Sequence, residues 1–373
     1  MKIGIITHFH KSTNYGGVLQ AYALCKYLKN QGHAAEQILY CQKTTKINKT
    51  KITAKKIAEK VLAKIKRRIY RNRNQEIRKR METLFVDFRD SVPHSDQVYT
   101  KETIGESVSK YEAFITGSDQ VWNPNWHDSS YMLDFVGQGT PKISYAASFG
   151  VERFDSIFEN ILQKNLRDFR GISVREKTAQ ELLSKVLEQE VEVCVDPTLL
   201  LSAKDWDEVA SDRLMEDKYV FVYFLGNDPK LRRLAERFAK EKGLRLVMIP
   251  DLIGSYTKED HKMKATFLTR ATPNEFVSLV KHAEYVLTDS FHACVFSLLY
   301  QKEFFVFERV GVQKMSSRIR SLTEMFSCCQ RFCSDEEKRT LDYLLNCAPL
   351  DAERKTFFEE TKQKSIDFLN TIL

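Results

Sequence analysis

Short apolar segments alternate with amphipathic ones along most of this chain, and that alternation limits the folds open to it. The apolar run Ile3–Ile6 is followed by a turn, by helically spaced apolar residues over 18–29, and by a second apolar run over 35–39. These spacings predict a strand, a helix and a strand. The pattern recurs to about residue 307, and repeated β-α-β units imply parallel sheets covered by helices on both faces.

The extent of this alternation predicts two domains. A chain of 373 residues is long enough for two ordinary domains and short for three. We therefore predict an α/β protein in which two Rossmann-like domains, over 1–200 and 217–350, face a central cleft. The remaining segment, 351–373, has apolar residues at helical spacing and is predicted to pack back across the junction.

Composition and the amino terminus indicate a cytoplasmic protein. The hydrophobic fraction of 43% and the charged fraction of 29% are typical of soluble globular proteins. The first residues lack the features of a signal peptide, and no run approaches the roughly 20 apolar residues of a membrane span. The eight cysteines suit a reducing compartment. Cys328, Cys329 and Cys333 cluster without the C-x2-C spacing or a nearby His, so we predict no metal site.

A basic segment over 43–80 carries sixteen Lys or Arg against two Glu, whereas the rest of the chain is mildly acidic. Apolar residues among these cations, such as Ile57, Val61 and Ile65, predict an amphipathic helix inserted over about 43–85. Such a helix would bind an anionic membrane surface at about 1 kcal/mol per well-placed cation, or pack its apolar stripe on its own domain. Nucleic acid is not expected as a partner, because only Tyr70 is available for stacking.

Ligands of open parallel sheets bind beyond the carboxyl ends of the strands, so polar residues there are the candidate site. The first such strand end is followed by Asn14, Tyr15, Gly16 and Gly17, whose glycines allow a ligand close to the backbone and leave N–H groups for an anion. A tight turn is the alternative interpretation.

The second strand end is followed by hydroxyl, carboxylate and amide groups together with a tryptophan: Ser118, Asp119, Gln120, Trp122 and Asn123. An indole beside groups that bind hydroxyls suits stacking on a sugar face. A capped loop around a core tryptophan is the alternative.

The third and fourth strand ends carry a cation and a histidine. Arg175 closes an apolar strand, where its guanidinium could grip a phosphate or carboxylate bidentately, or form a structural bridge to Glu176 or Asp196. In the run 288–292, Asp289 or Ser290 could cap the following helix. His292 then falls in the first helical turn, where it could hold an anion or act as an acid.

Taken together, these four motifs and the run 195–198 around Asp196 resemble the polysaccharide pyruvyl transferase family. The resemblance covers most of the chain, with the five motifs in the family's order. It implies a GT-B-like pair of Rossmann domains and a transferase that takes a pyruvyl group from phosphoenolpyruvate. The product would be a pyruvate ketal on two hydroxyls of a saccharide, with phosphate released and no cofactor.

The resemblance also assigns roles to residues. Arg175 would hold the donor, with His292 on its phosphate or acting as acid. Many members have Arg-Leu-His where this chain has 290–292, so one expected cation is missing and Arg318 is the candidate substitute. The remaining predicted donor-binding residues are Ser290, Gly16 and Gly17. His292, Asp289 and Asp119 are the candidates for the general acid and the general base, and the sequence does not assign the two roles among them. The acceptor-binding candidates are Asn14, Ser118, Gln120, Trp122 and Asn123.

The acceptor implied by the resemblance is a saccharide, often a growing glycan on a lipid carrier at the inner face of the membrane. Two other classes stay open from the sequence alone. One is a GT-B glycosyltransferase that uses a nucleotide sugar, and the other is a non-catalytic scaffold of glycan biosynthesis. Donor binding separates the three classes, because a scaffold should bind no donor.

Overall fold

The computed structural model describes residues 1–42, 76–77, 79–153, 155–250, 260–309, 316–351 and 354–373. Its framework consists of two parallel six-stranded sheets with helices packed on them, which confirms the predicted α/β class. Most of the predicted basic helix over about 43–85 lies outside the described residues. Residues 79–91 are helical and form α2, which buries Phe85 and Phe88 in the core.

The first sheet is built by the strands of the amino-terminal half, with spatial order β2-β1-β3-β4-β5-β6. β3 and β4 have no exposed residue, as expected for strands covered on both faces. The strands are β1 (Lys2–Ile6), β2 (Ala34–Gln37), β3 (Ala113–Thr116), β4 (Lys142–Ala147), β5 (Gly171–Val174) and β6 (Glu192–Val193). Their helices are α1 (Tyr15–Asn30), α2, α3 (Ser156–Leu166) and α4 (Lys177–Leu187).

The second sheet follows the short helix α5 (Ala203–Asp207) and has the order β12-β11-β10-β7-β8-β9. Its strands are β7 (Tyr219–Tyr223), β8 (Arg245–Met248), β9 (Thr266–Phe267), β10 (Tyr285–Thr288), β11 (Glu303–Phe307) and β12 (Phe332–Cys333). The accompanying helices are α6 (Pro229–Glu241), α7 (Pro273–His282), α8 (Phe291–Leu299), α9 (Ser316–Met325) and α10 (Leu341–Asn346). Thr272 caps α7 as predicted, in a reciprocal capping box with Glu275.

Each sheet reverses its strand order once, between β1 and β3 in the first and between β7 and β10 in the second. The second sheet has the order 3-2-1-4-5-6 of dinucleotide-binding folds, and the first has the related order 2-1-3-4-5 extended by one strand. Ligands of such sheets bind in the crevice outside the carboxyl ends at the reversal. The fold therefore offers two crevices.

The two halves are packed against each other through apolar contacts. Tyr15 at the start of α1 stacks on Phe276 of α7 with ring centroids 4.8 Å apart, and its hydroxyl donates to the Ala271 carbonyl at 2.7 Å. The last helix, α11 (Arg354–Ile372), touches both halves: Phe358 lies against Phe326, and Ile372 lies against Gly171. The domain limits given above remain a prediction.

Within the described ranges, no helix is long and apolar enough to cross a lipid bilayer.

Candidate functional site

The carboxyl edge of the first sheet gathers ionisable side chains from four strands. Each of these residues follows the end of its strand. They become neighbours because the carboxyl ends of parallel strands lie at one edge of the sheet. The residues in question are His8 after β1, Asp119 after β3, Arg175 with Glu176 after β5, and Asp196 after β6. All except His8, which is partly buried, are at most 9% exposed, so their charges interact across a medium that screens them weakly.

Arg175 lies at the centre of this group. Its Nη1 donates to Asp196 Oδ2 at 2.6 Å and to Ser118 Oγ at 3.3 Å. Its Nε and Nη2 are buried and make no hydrogen bond to any described residue. They come no closer to a carboxylate than 3.9 Å (Nε to Glu176) and 3.8 Å (Nη2 to Asp119). Nε and Nη2 form one edge of the guanidinium, which we call the free edge of Arg175.

Asp196 is fully engaged with its neighbours. Its Oδ1 accepts hydrogen bonds from the backbone N–H and the hydroxyl of Thr198, and its Oδ2 accepts from Arg175 and Ser118. The Nε2 of His292 lies 3.4 Å from the same Oδ2. Burial raises the pKa of Asp196, but His292, Arg175 and Thr198 outweigh it and hold the pKa well below its ordinary value. Asp196 is therefore an ionised anchor that orients both an arginine and a histidine.

Asp119 combines backbone strain with an uncommitted carboxylate. Its φ of 76° lies in the left-handed region that non-glycine residues avoid, a form of strain that clusters at functional sites. Its carboxylate accepts no hydrogen bond from the described residues. Burial raises the pKa of the carboxyl, but nearby cationic groups hold it below its ordinary value: Arg175, His292, His8 and Arg318. Asp119 is thus a carboxylate whose ionised form the site stabilises.

Glu176 has the opposite environment. It is 2% exposed, its Oε1 accepts a hydrogen bond from the Ser148 hydroxyl, and its Oε2 has no hydrogen-bond partner among the described residues. Burial raises the pKa of this carboxyl, and Arg175 and Arg318 offset that shift only in part. The sequence had suggested Glu176 only as a structural partner of Arg175. Its carboxyl is desolvated by burial in the folded protein, which no local pattern reveals.

His8 was also missed. It follows β1 directly, its ring meets that of Tyr131 edge-on at 4.7 Å, and it interacts with Asp119 and Asp128. Burial lowers its pKa, and the two carboxylates offset that shift only in part. Its position after β1, at the strand reversal beside Asp119, is the sequence signal that could have identified it.

The second sheet contributes the helix α8 and a second arginine. The Phe291 ring lies 4.2 Å from the Arg175 guanidinium and 6.0 Å from that of Arg318, so the two cations share one aromatic neighbour. Burial, together with the charge of Arg175, lowers the pKa of Arg318 to about 10. Arg318 therefore lies near Arg175, and its predicted role as a substitute cation stays a prediction.

Gly16 corrects one predicted role. A Cβ at this position would overlap the His292 ring, so the missing side chain makes room for a histidine of the second half rather than for a ligand. Gly17 lies in the same turn, and its N–H donates a hydrogen bond to the side-chain oxygen of Asn14, the exposed N-cap of α1. The predicted donor contact at Gly17 is therefore already occupied.

Asp289 is also corrected. Its two carboxylate oxygens accept from the backbone N–H groups of Leu225 and Gly226 at 2.6 and 2.7 Å, and Arg309 approaches at 3.6 Å. This carboxylate fastens the loop after β7 to β10, which removes Asp289 from the acid–base candidates. Ser290, one of the two predicted caps, is the N-cap residue of α8, but its side chain makes no capping hydrogen bond.

The tryptophan assignment is wrong in a similar way. Trp122 is fully buried, donates from Nε1 to the Tyr131 carbonyl, and packs against Phe149. The accessible indole on this loop belongs to Trp126, which is 36% exposed and donates to the Gln120 carbonyl at 3.3 Å.

Of the other predicted acceptor residues, two are already engaged in the fold. Ser118 is buried and bridges Arg175 to Asp196. The amide of Asn123 donates to Gln120 and its oxygen caps the following turn. Gln120 is partly exposed beside Trp126 and so remains a candidate.

Two Rossmann-like sheets that meet at their carboxyl edges around a shared charged site define an α/β protein of the GT-B-like arrangement. Residues 14–309 match the family model of polysaccharide pyruvyl transferases, so the chain belongs to that family. It is therefore a transferase of polysaccharide biosynthesis with a saccharide acceptor. Both the resemblance and the GT-B-like fold predicted from sequence are confirmed.

Solved structures with the same fold are distant in sequence. UDP-GlcNAc 2-epimerase from Methanocaldococcus jannaschii is 12% identical, with a TM-score of 0.56 and full coverage of both chains. The S. aureus protein MnaA, solved with UDP, is 12% identical with a TM-score of 0.50, over 100% of this chain and 97% of that one. At such identities the likeness concerns the fold. No curated protein matches the chain.

Proposed function

We propose that the protein transfers a pyruvyl group from phosphoenolpyruvate to a saccharide and forms a pyruvate ketal on two of its hydroxyls. The observation that carries the proposal is the free edge of Arg175. Two buried N–H donors in a fixed planar fork match the two oxygens of a carboxylate or a phosphate. Leaving buried donors unpaired is costly, which favours a ligand that satisfies them.

A second cation supports an anionic donor. Phosphoenolpyruvate carries a carboxylate and a phosphate, and the site has Arg175 and Arg318 around one ring. The Arg318 guanidinium would take the place of the family cation absent at Ser290. His292 lies in the first turn of α8, at the end of a helix where anions are stabilised.

The acceptor would lie along the loop that follows β3. Trp126 offers an exposed aromatic face, fixed in orientation by its hydrogen bond to Gln120, and the loop begins at Asp119. An amphipathic ring beside amide and carboxylate groups suits a sugar, whose faces are apolar and whose edges carry hydroxyls. We extend the proposal to a lipid-linked acceptor at the inner face of the cell membrane, with the basic segment 43–80 on the anionic surface.

A donor screen tests the proposal. Purified protein is given phosphoenolpyruvate or common nucleotide sugars, and binding is read by thermal shift and calorimetry. The Arg175→Lys variant keeps the charge and loses the fork. We expect it to lose at least about tenfold in affinity for phosphoenolpyruvate, because a hydrogen bond to a charged group contributes about 1.5–3 kcal/mol.

Arg331→Lys is the matched control. Arg331 is as deeply buried but pairs with Glu303 on the far side of the second sheet, so this variant should bind the donor like the wild type. Binding of a nucleotide sugar without phosphoenolpyruvate would replace the proposal with a glycosyltransferase. Binding of neither would indicate a scaffold.

A further inference from the structure

We propose that Glu176 is the general acid and Asp119 the general base of this site, acting on either side of a donor held at the free edge of Arg175. The inference rests on the proposed pyruvyl transfer and divides roles that the sequence left undivided. It also assigns a function to a residue that follows the donor-binding arginine directly in the chain.

The geometry places the two carboxyls at the two ends of one edge. Glu176 Oε1 lies 3.9 Å from Nε of Arg175, and Asp119 Oδ1 lies 3.8 Å from Nη2. Neither distance is a hydrogen bond, so an anion gripped by Nε and Nη2 would sit between the two carboxyls. Glu176 Oε2 is a buried oxygen without a partner, and the Asp119 carboxylate accepts no hydrogen bond from the described residues.

The surroundings favour the neutral form of Glu176 and the ionised form of Asp119. The groups that face Glu176 are the Ser148 hydroxyl, Arg175, Arg318 and the Asp119 carboxylate. The groups that face Asp119 are Arg175, His292, His8 and Arg318. Burial wins at Glu176 and raises its pKa, whereas the cationic groups win at Asp119 and lower its pKa. Carboxyls whose environments separate their pKa values in this way are the pattern of an acid and a base.

Three other ionisable residues of the site, Asp196, Asp289 and His292, are held by contacts of their own. Asp196 already accepts from Arg175, Ser118 and Thr198. Asp289 is fastened to two backbone amides. His292 is held beside Asp196 over Gly16, where it suits contact with the donor phosphate.

The proton transfers balance. Glu176 gives its proton to the methylene carbon, whose π electrons form the new C–H bond, and the neighbouring carbon becomes positive. A sugar hydroxyl attacks that carbon and gives its proton to Asp119. The C–O bond between that carbon and the phosphate then breaks, and the phosphate oxygen keeps the electron pair. The departing phosphate takes the proton from Asp119. A second hydroxyl then attacks the same carbon and returns a proton to Glu176.

The variant Glu176→Gln tests the acid. Glutamine keeps the size and can still accept from Ser148, so the fold should persist, as thermal unfolding will show. Because the proposal makes Glu176 neutral in the resting protein, its affinity for phosphoenolpyruvate should stay within about threefold of the wild type. Phosphate release should fall by about 10²–10⁴, the usual contribution of a general acid.

The pH profile gives a second readout. Wild-type kcat/KM should fall as pH rises through the raised pKa of Glu176, since the acid must be protonated. It should also fall as pH drops through the lowered pKa of Asp119, since the base must be ionised. Glu176→Gln should lack the alkaline limb, and Asp119→Asn should lack the acidic one.

Carbon-13 NMR of protein labelled at the glutamate side-chain carboxyl reads the charge state without any activity. One resonance that titrates above ordinary glutamates should disappear in Glu176→Gln. Glu192→Gln is the matched control, because burial and Glu190 raise that pKa too, on an exposed edge strand. It should remove a different resonance and leave turnover unchanged.

The outcomes separate the two proposals. Wild-type transfer together with near-normal turnover of Glu176→Gln overturns the acid and leaves the proposed function in place. A wild type that releases no phosphate from phosphoenolpyruvate overturns the proposed function, and with it the catalytic roles. If the Glu176 resonance titrates with an ordinary or lowered pKa, the proposal of a neutral Glu176 beside an ionised Asp119 is overturned, whatever the activity is.

Discussion

The two strand reversals face the same cleft but are built in opposite ways. At the first, between β1 and β3, the loop after β3 starts at a strained Asp119 whose carboxylate accepts no hydrogen bond from the described residues. At the second, between β7 and β10, the corresponding Asp289 is bound to two amides of the neighbouring loop. One carboxylate accepts no hydrogen bond from the described residues, and the other fastens two segments of the fold together.

This difference teaches that position at a strand reversal does not assign a chemical role. Both aspartates follow a buried strand at a strand reversal, and both are at most 9% exposed. They differ in their hydrogen bonds: the carboxylate of Asp289 accepts from two backbone amides, whereas Asp119 faces basic side chains without a hydrogen bond from the described residues. The first sheet thus carries most of the buried ionisable residues, and the second supplies the helix α8 that packs against them.

The largest effect on turnover is expected for His292, which belongs to the second half and contacts residues of the first. His292→Ala should reduce turnover by about 10²–10⁴ and leave the fold intact, because the ring meets Asp196 in the site while the core stays filled. Steady-state kinetics and circular dichroism check this result. His282→Ala, at the end of α7 with its ring on Ser278, is the control and should be active. Near-normal activity of His292→Ala would move the chemistry wholly to the first sheet.

Exchanging each aspartate for asparagine tests the comparison itself. Asp119→Asn should reduce turnover by at least about 10² and leave stability unchanged, since asparagine tolerates the left-handed backbone. Asp289→Asn should lower the free energy of unfolding by about 1–3 kcal/mol, because one amide of the loop loses its acceptor. Urea unfolding and kcat, measured on both, decide the matter. An active Asp119→Asn paired with an inactive but stable Asp289→Asn would reverse the roles.

A smaller effect is expected where the halves touch. Gly16→Ala should destabilise the protein, because the new methyl group overlaps the His292 ring. Adding His292→Ala should restore part of the loss, giving a coupling of about 0.5–3 kcal/mol in a double-mutant cycle. Gly105→Ala meets no atom within 4 Å and serves as the control. Additive effects would mean that the two residues do not touch in solution.

The smallest effect on chemistry is expected at the acceptor loop. Trp126→Ala should raise KM for the saccharide by about tenfold or less with kcat nearly unchanged, the sign of a purely binding contact. Trp122→Ala should instead destabilise the fold by about 3–5 kcal/mol, because it empties a core position. Kinetics with varied acceptor and thermal unfolding separate the two. A large fall in kcat for Trp126→Ala would place the indole at the reacting atoms.

Much of the site could be predicted because parallel sheets make strand ends neighbours. Arg175, Asp119, Asp196 and His292 come from separate segments, and the rule that ligands bind at carboxyl ends was enough to group them. The strands and the Thr272 cap followed from periodicity and from cap residues, which act over a few residues of chain.

The failures share a different physical origin. Whether Trp122 or Trp126 faces solvent depends on where Phe149 packs, and whether Asp289 is free depends on the loop after β7. The raised pKa of Glu176 comes from desolvation by distant elements. Each outcome is decided by contacts between residues far apart in sequence, which local patterns do not encode.

The position of His292 over Gly16 has a consequence for timing. The ring touches Gly16 and Asp196, which both belong to the first half, while its own helix belongs to the second. Any opening of the cleft therefore withdraws the histidine from both contacts in one movement. Under the proposed function, a donor held at the free edge of Arg175 would meet bulk water only after His292 had left the site, so its hydrolysis would be limited by the order of events rather than by a separate barrier.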